Sequence, residues 1–188
     1  KMTRINKEQV GVKERRILPG TIKTKEQLET IKKELIASSM VVDNVVSKVT
    51  SRRPHPPFMT SSLLQAASGS LGFSVARTMG IAQKLYENKL ITYMRTDSLN
   101  VAKSAQEDCL EFVDVNYGHE YVPDKPNIFK TKGSAQEGHE AIRPTDVGLI
   151  PGKEGYELAA PEKKLYRLIW ERFVASQMIP ASISSRTV

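Results

Sequence analysis

Hydrophobic residues recur at helical spacing along much of the chain. Leu28, Ile31 and Leu35 share one helical face. A capping-box pattern at Thr24 and Gln27 precedes them and predicts that a helix begins there. The same spacing, with polar caps, glycine and proline as end signals, predicts four further helices: from Ser62 to near Gly69, from Ser74 to about Asn88, from Asn100 to near Gly118, and from Pro161 to before Pro180.

Three segments have the composition of strands rather than helices. Residues 40–49 are dense in β-branched side chains, residues 90–96 alternate between apolar and polar, and residues 182–188 have the pattern of a beginning strand. Prolines at 54, 56 and 57 make the stretch between the first strand and the next helix a stiff, extended connector and a plausible domain boundary. We therefore expect a mixed α/β fold that is predominantly helical, with a short sheet.

Length and composition narrow the class of protein. With 188 residues, of which 39% are hydrophobic, the chain can bury a core and form one domain plus part of another. No apolar run approaches the roughly 18 residues of a membrane span, and the first 20 residues have no apolar signal-peptide centre. The single cysteine, Cys109, cannot form an internal disulfide, and its helical context predicts a buried thiol. These features favour a cytoplasmic protein without a membrane partner.

The net charge of +7 is unevenly distributed. Residues 1–55 hold 13 basic and 6 acidic side chains, whereas residues 56–188 hold 15 of each. A basic segment attracts phosphate backbones by counterion release. A solvated basic face has the same composition, so charge alone does not decide between nucleic-acid binding and ordinary surface.

The segment Ile91–Ser98 carries the clearest candidate chemistry. In an extended segment Tyr93 and Arg95 point to the same side. A guanidinium beside a phenol favours the phenolate and can hold a phosphate oxygen, which suits attack on a phosphodiester. Thr96, Asp97 and Ser98 add polar groups just past the strand end. On spacing alone, packing plus surface charge explains a Tyr-x-Arg pair at least as well.

A second polar cluster lies at Gln136–Thr145. His139 offers an imidazole, and Arg143, four residues later, would face the same phosphate if the stretch were one helical turn ended by Pro144. A surface-polar role is the simpler alternative. The cluster lacks the second histidine or cysteine that a zinc site requires.

Both motifs resemble the signatures of type IA DNA topoisomerases. Ile91–Ser98 is similar to the active-site signature, and Glu137–Thr145, about 45 residues later, is similar to the second. Pro57–Ala67 resembles the entry into the family's tyrosine-bearing domain. Met94 and the sequence from Glu140 to Arg143 are typical of the bacterial topoisomerase I branch, whereas Gly138 departs from the usual alanine.

The resemblance implies a role for each matching residue. Tyr93 would attack a phosphodiester and keep the 5′ phosphate, without ATP, and Arg95 would position the tyrosine and the phosphate. Asp97 would orient Arg95. Tyr86 would stack on a base or, alternatively, pack on the stripe formed by Val75, Met79 and Ala82. The remaining expectations are supporting roles for Thr96, Ser98 and Glu140 and DNA-binding roles for His139, Arg143 and Thr145.

The resemblance also implies a division of labour. The family's magnesium site contains an Asp-x-Asp sequence in a separate N-terminal domain, and this chain has no Asp-x-Asp. We expect no cofactor on this chain, with Mg²⁺, that domain and single-stranded DNA as partners of the parent enzyme. Residues 56–180 would be the tyrosine-bearing domain, and residues 1–55 and 181–188 would be strand-rich parts of a hinge domain.

Two other classes of function stay open at this point. One is a noncatalytic module of the same fold that binds single-stranded DNA, which the Tyr93–Arg95 and His139–Arg143 pairs disfavour. The other is a helical interaction domain whose tyrosine is structural, which would leave both signatures to coincidence.

Overall fold

The computed structural model describes residues 4–5, 8–9, 12–13, 16–17, 21–37, 42, 44–129, 139–153 and 157–187. Its contacts divide the chain into two compact units, one of Lys1–Ser47 with Arg186–Val188 and one of Lys48–Ser185. The domain boundaries expected after residues 55 and 180 stay predictions. None of the described helices is long and apolar enough to cross a membrane.

The first unit contains short hairpin-like pairs and one helix. Four two-residue strands pair antiparallel, β1 with β2 and β3 with β4: β1 (Arg4–Ile5), β2 (Glu8–Gln9), β3 (Val12–Lys13) and β4 (Arg16–Ile17). Helix α1 (Lys25–Ala37) follows. The capping box is confirmed, since the Gln27 amide donates to Thr24 Oγ1 and the Thr24 amide to Gln27 Oε1, both at 3.3 Å. The apolar stripe of α1 is not buried, because Leu28 and Leu35 are 48% and 39% exposed.

The rest of the fold is helical, with one two-stranded sheet joining distant parts of the sequence. Its elements are β5 (Val46–Arg52), α2 (Thr60–Leu71), α3 (Val75–Glu87), α4 (Lys103–Tyr117), a 3₁₀ turn (His119–Tyr121), α5 (Ala160–Gln177) and β6 (Ala181–Thr187). β5 pairs with β6. Thr50 Oγ1 donates to the Ile183 carbonyl and Ser185 Oγ to the Lys48 carbonyl, so the strands run in opposite directions. The expected mixed α/β class is confirmed.

Helix α5 is the centre of the core and packs against α2, α3 and α4. Leu165, Ile169 and Phe173 recur along one face and are fully buried or nearly so. This is the helix that the sequence predicts from Pro161, and Pro161 lies in its first turn, where its missing amide proton is not needed. At the edge of this core the indole nitrogen of Trp170 has a hydrogen-bond partner, because Nε1 donates to the Val147 carbonyl at 2.9 Å.

Several predicted element ends are wrong. The strand expected at residues 40–49 is β5, at Val46–Arg52; residues 38–41 and 43 lie outside the described residues. Helix α2 begins at Thr60 rather than Ser62, and Ser62 instead accepts the Met59 amide proton at 3.0 Å, as the third residue of the helix. Gly69 lies inside α2, which ends at Gly72 with φ 65°.

The start of α4 differs from expectation in a way that bears on the site. Asn100 is not its cap; Ala102 is, and its own side chain makes no cap bond. Instead, Glu140 Oε1 accepts the Ala102 amide proton at 2.9 Å. A carboxylate from 38 residues away therefore satisfies the helix start, where negative charge is stabilising. Gly118 ends α4, as predicted, with φ 114°.

Candidate active site

The tyrosine-bearing segment is irregular, so the strand expected at residues 90–96 is wrong. Only Ile91 forms a bridge, with Pro144. The Thr92 amide donates to the Arg143 carbonyl at 2.9 Å, and the Thr145 amide to the Leu90 carbonyl at 3.1 Å. The two signature motifs thus lie side by side, although they are far apart in sequence.

The hydroxyl of Thr92 strengthens this junction. It donates to the Ala141 carbonyl at 2.7 Å and accepts the Arg143 amide proton at 3.0 Å. Because Thr92 immediately precedes Tyr93, these hydrogen bonds fix the backbone on the N-terminal side of Tyr93. Residues 139–143 do not form the helical turn that we considered for His139 and Arg143; Ile142 is bridged to Phe58 instead.

Thr60, in the first turn of α2, holds the other side of the segment. Its hydroxyl donates to the Met94 carbonyl at 2.8 Å and accepts the Thr96 amide proton at 2.9 Å. Its own amide donates to the Thr96 carbonyl at 2.9 Å. Sequence reasoning assigned Thr60 no role, because its partners lie more than 30 residues away and no local pattern signals them.

Burial alternates along the segment despite the absence of a strand. Met94 is fully buried, whereas Tyr93 is 47% exposed and Arg95 and Asp97 are exposed. Alternating side chains lie on opposite faces of an extended chain. Tyr93, Arg95 and Asp97 therefore share the outer face, as expected for the first two.

Thr96 and Ser98 belong to the inner face. Thr96 is 8% exposed and Ser98 is fully buried. Thr96 Oγ1 accepts the Ser98 amide proton at 3.0 Å, and Ser98 Oγ accepts the Asn100 amide proton at 3.1 Å. In this structure, their hydroxyls brace the backbone between Tyr93 and α4.

Tyr86, near the end of α3, lies against the candidate nucleophile. The ring centroids of Tyr86 and Tyr93 are 5.2 Å apart, and the ring planes meet at 63°, an edge-to-face arrangement. Tyr86 is 40% exposed, and the buried face of α3 is formed by Thr78, Ala82 and Leu85. Tyr86 is therefore accessible from solvent, and its role, base stacking or packing on the stripe of Val75, Met79 and Ala82, stays a prediction.

A cavity of about 740 Å³ opens beside this face. Its polar wall includes Arg95, Asp97 and His139, so the structure brings residues of both signatures to one place. Among the described residues, no ion pair joins Arg95 to Asp97, and the orienting role of Asp97 stays a prediction. The opposite wall, which sequence reasoning missed, is largely apolar and is formed by Met59, Leu64 and Met79 with Thr60 and Ser61.

Arg143 does not line the cavity, and its guanidinium is bound to Glu140. Arg143 Nη2 and Nε donate to Glu140 Oε2 at 2.7 and 3.1 Å, and Nη1 donates to the Pro144 carbonyl at 3.0 Å. The Arg143 side chain is only 12% exposed. Thr145 likewise uses its hydroxyl internally, donating to the Lys89 carbonyl at 2.6 Å. The DNA-binding roles of both residues stay predictions.

The arrangement brings together a phenol, a guanidinium and an imidazole. Among the described residues, no group of three or more His, Cys, Asp or Glu side chains is placed to hold a metal ion. Magnesium requires a near-octahedral oxygen environment, so the donor set described does not fit that ion.

Comparison with known proteins places this geometry in a family. A family model described as DNA topoisomerase matches residues 2–188. DNA topoisomerase 1 of Haemophilus influenzae is 47% identical over 155 residues, which are 82% of this chain and 18% of that protein. DNA topoisomerase 1 of Campylobacter jejuni is 47% identical over 171 residues, which are 86% of this chain and 24% of that protein.

A solved structure agrees with these relatives. The full-length topoisomerase I from Thermotoga maritima matches with a TM-score of 0.71 and 37% identity, covering 95% of this chain and 28% of that one. The chain therefore spans less than a third of each of these relatives. Since the family model covers almost every residue and relatives approach half identity over most of the chain, this chain belongs to the DNA topoisomerase family, within its bacterial type IA topoisomerase I branch.

Proposed function

We propose that the chain is the tyrosine-bearing part of a DNA topoisomerase that cleaves one strand of DNA through Tyr93 and relaxes negative supercoils without ATP. The observation that carries the proposal is the shared outer face of Tyr93 and Arg95, beside a cavity that His139 also lines. An exposed phenol is accessible to a phosphodiester, and the two basic side chains supply donors for the charge that develops on the phosphoryl oxygens.

The proposed step exchanges one phosphodiester for another. Tyr93 Oη attacks the phosphorus, the bond from phosphorus to the upstream O3′ breaks, and that oxygen leaves as a 3′ hydroxyl with the phenolic proton. The 5′ phosphate remains on Tyr93. Because the bond energy is kept in the phosphotyrosine, the reverse reaction reseals the strand without a nucleotide cofactor. The single-stranded preference fits an open site with aromatic rings, on which unpaired bases stack.

In this proposal magnesium is bound elsewhere in the enzyme, whereas the gate motion involves this chain. The described residues do not supply a magnesium site, so we propose that an N-terminal domain of the parent enzyme binds that ion. Strands β5 and β6 bring the two flanks of the helical part together. We propose that these flanks belong to the hinge domain about which the tyrosine-bearing part lifts.

The test is covalent trapping on the full-length enzyme. A single-stranded oligonucleotide labelled at its 3′ end should remain attached to the denatured protein, whereas a 5′ label should be released on a shorter fragment. Tyr93→Phe should abolish the adduct. Tyr121→Phe is the matched control, since Tyr121 is also exposed, at 44%, and is distant in sequence from both signatures.

The competing function, noncatalytic binding of single-stranded DNA, gives a different result. In that case neither label remains on the protein, and Tyr93→Phe leaves oligonucleotide binding unchanged. An adduct that persists in Tyr93→Phe would assign the nucleophile to another residue and overturn the proposal.

A further inference from the structure

A second cavity, of about 760 Å³, lies between the first half of α5 and the loop that precedes it. It is formed by residues 150–153, 157–158, 160, 163–164 and 166–167 and shares no lining residue with the cavity that Arg95 and His139 line. Its size is within the range of pockets that bind small organic molecules. The proposed cleavage reaction does not use it.

The rim of this cavity is strongly basic. Among the described residues that line it, Lys153, Lys163, Lys164 and Arg167 are basic and Glu157 alone is acidic. None of these five residues takes part in an ion pair within the part of the chain that the structure describes. The excess is local, because residues 56–188 as a whole hold equal numbers of basic and acidic side chains.

The spacing of these charges is unfavourable for the helix alone. Lys163 and Arg167 are separated by four residues, and Lys164 and Arg167 by three, so all three cations lie on adjacent positions of one face of α5. Like charges at such spacing destabilise a helix. Lys163 also lies in the first turn of α5, where the helix dipole disfavours cations. A bound anion would offset this repulsion.

The other walls are apolar. Ile150, Pro151 and Leu158 are each partly buried and present hydrocarbon surface to the cavity. Tyr166 also lines the cavity; it is 3% exposed, and its hydroxyl donates to the Leu149 carbonyl at 2.8 Å. A ligand that fits must therefore combine an anionic group with a flat or apolar body.

We propose that this cavity is a nucleotide-binding site, in which the cations contact a phosphate and the base lies against the apolar wall. The nucleotide is either one unit of a DNA strand or a free nucleotide, since both present the same chemistry. The first source rests on the proposed function, because it takes DNA to be the substrate.

The test uses binding rather than cleavage, so that its failure is separable from a failure of the Tyr93 assignment. The variant is Lys163→Gln with Arg167→Gln, in the full-length enzyme carrying Tyr93→Phe. The matched control is Lys103→Gln with Lys125→Gln, which removes the same charge from exposed positions away from the cavity. The cavity variant should unfold at or slightly above the parent's temperature, because it removes repulsion, and the control at or slightly below it, because Lys103 loses its exposed ion pair with Glu107.

Two probes distinguish the sources: a fluorescent oligothymidylate by anisotropy, and thymidine 5′-monophosphate by calorimetry. If the source is a strand, the cavity variant should weaken oligonucleotide binding about tenfold more than the control and reduce the salt slope by about 1.4, as expected for two lost phosphate contacts on a single strand. A loss confined to the mononucleotide assigns a free nucleotide. Equal behaviour of the two variants with both probes overturns the proposal.

Discussion

Tyr86 lies edge-on to Tyr93, with 5.2 Å between ring centroids and 63° between ring planes. Both rings are close to half exposed, so neither is held by burial in the core. Tyr86 projects from a regular helix, α3, whereas Tyr93 belongs to an irregular segment. Through Tyr86, helix α3 therefore provides a rigid contact surface for the Tyr93 ring, whose own backbone lies outside any helix or strand.

Removal of this contact surface should slow cleavage. An aromatic pair of this kind is worth about 0.5–1.5 kcal/mol beyond its buried area, so Tyr86→Ala should reduce the single-turnover rate of adduct formation by roughly two- to tenfold. Tyr86→Phe keeps the ring and should retain the rate. Tyr121→Ala, on an equally exposed ring elsewhere, should have no effect, and an unchanged rate in Tyr86→Ala would remove Tyr86 from the site.

Thr60 should matter for stability and for cleavage together. In Thr60→Val the shape is kept, but the Met94 carbonyl and the Thr96 amide lose their hydroxyl partner. Buried polar groups left without a partner cost about 1–3 kcal/mol. The free energy of unfolding measured in urea should therefore fall by that amount, and the rate of adduct formation should fall as well. Thr60→Ser should restore both.

Ser70→Ala is the control for Thr60, because Ser70 is exposed in the same helix and donates only to the Ala66 carbonyl. It should leave unfolding and cleavage nearly unchanged. Equal effects of Thr60→Val and Ser70→Ala would show that the hydroxyl at position 60 does not hold the segment.

The tyrosine segment shows both the reach and the limit of sequence reasoning. The sequence predicts that Tyr93 and Arg95 share one face, and both are exposed in the structure. The pattern cannot tell a strand from an irregular chain of the same alternation, because that difference depends on a partner ladder. Here the segment is held by the hydroxyls of Thr60 and Thr92 and by two backbone hydrogen bonds, which link it to Arg143 and Thr145.

The end of α2 illustrates a second limit. Glycine predicts a helix end only where the backbone must turn left-handed, and Gly69 and Gly72 look alike in sequence. Gly72 has φ 65°, and the next amide, from Phe73, donates to the Ala67 carbonyl at 3.2 Å. What decides between them is the burial of Phe73, at 5% exposure, which is a tertiary property.

The two glycines should respond oppositely to alanine. Gly69→Ala should raise the free energy of unfolding by about 0.5–1 kcal/mol, because the position is helical and no atom lies within 4 Å of the added carbon. Gly72→Ala should lower it by roughly 1–2 kcal/mol, since an L residue is strained at positive φ. Urea unfolding of both variants checks this, and a gain at Gly72 would contradict the left-handed end.

Cys109 provides a pH-dependent prediction. Burial, with a smaller contribution from Asp108, raises the pKa of its thiol from 9.0 to about 12. The unfolded chain therefore loses this proton near pH 9 while the folded chain keeps it, and stability falls as pH rises from about 9 towards 12. Cys109→Ala removes the effect, so the stability advantage of the wild type should shrink above pH 9, by at most about 1.4 kcal/mol per pH unit. A difference that stays constant from pH 8 to 11 would contradict a buried thiol.

Glu140 should couple the second signature to α4, since one oxygen accepts from Arg143 and the other from the Ala102 amide. Glu140→Gln places an amide donor against one of these donors and should destabilise the protein by about 1–3 kcal/mol in thermal unfolding. Arg143→Met should cost less in the Glu140→Gln background than alone.

Glu107→Gln breaks the exposed pair with Lys103 and should cost less than about 1 kcal/mol. If Glu140→Gln costs no more than Glu107→Gln, the carboxylate does not hold this junction, and Arg143 is then free to contact DNA directly.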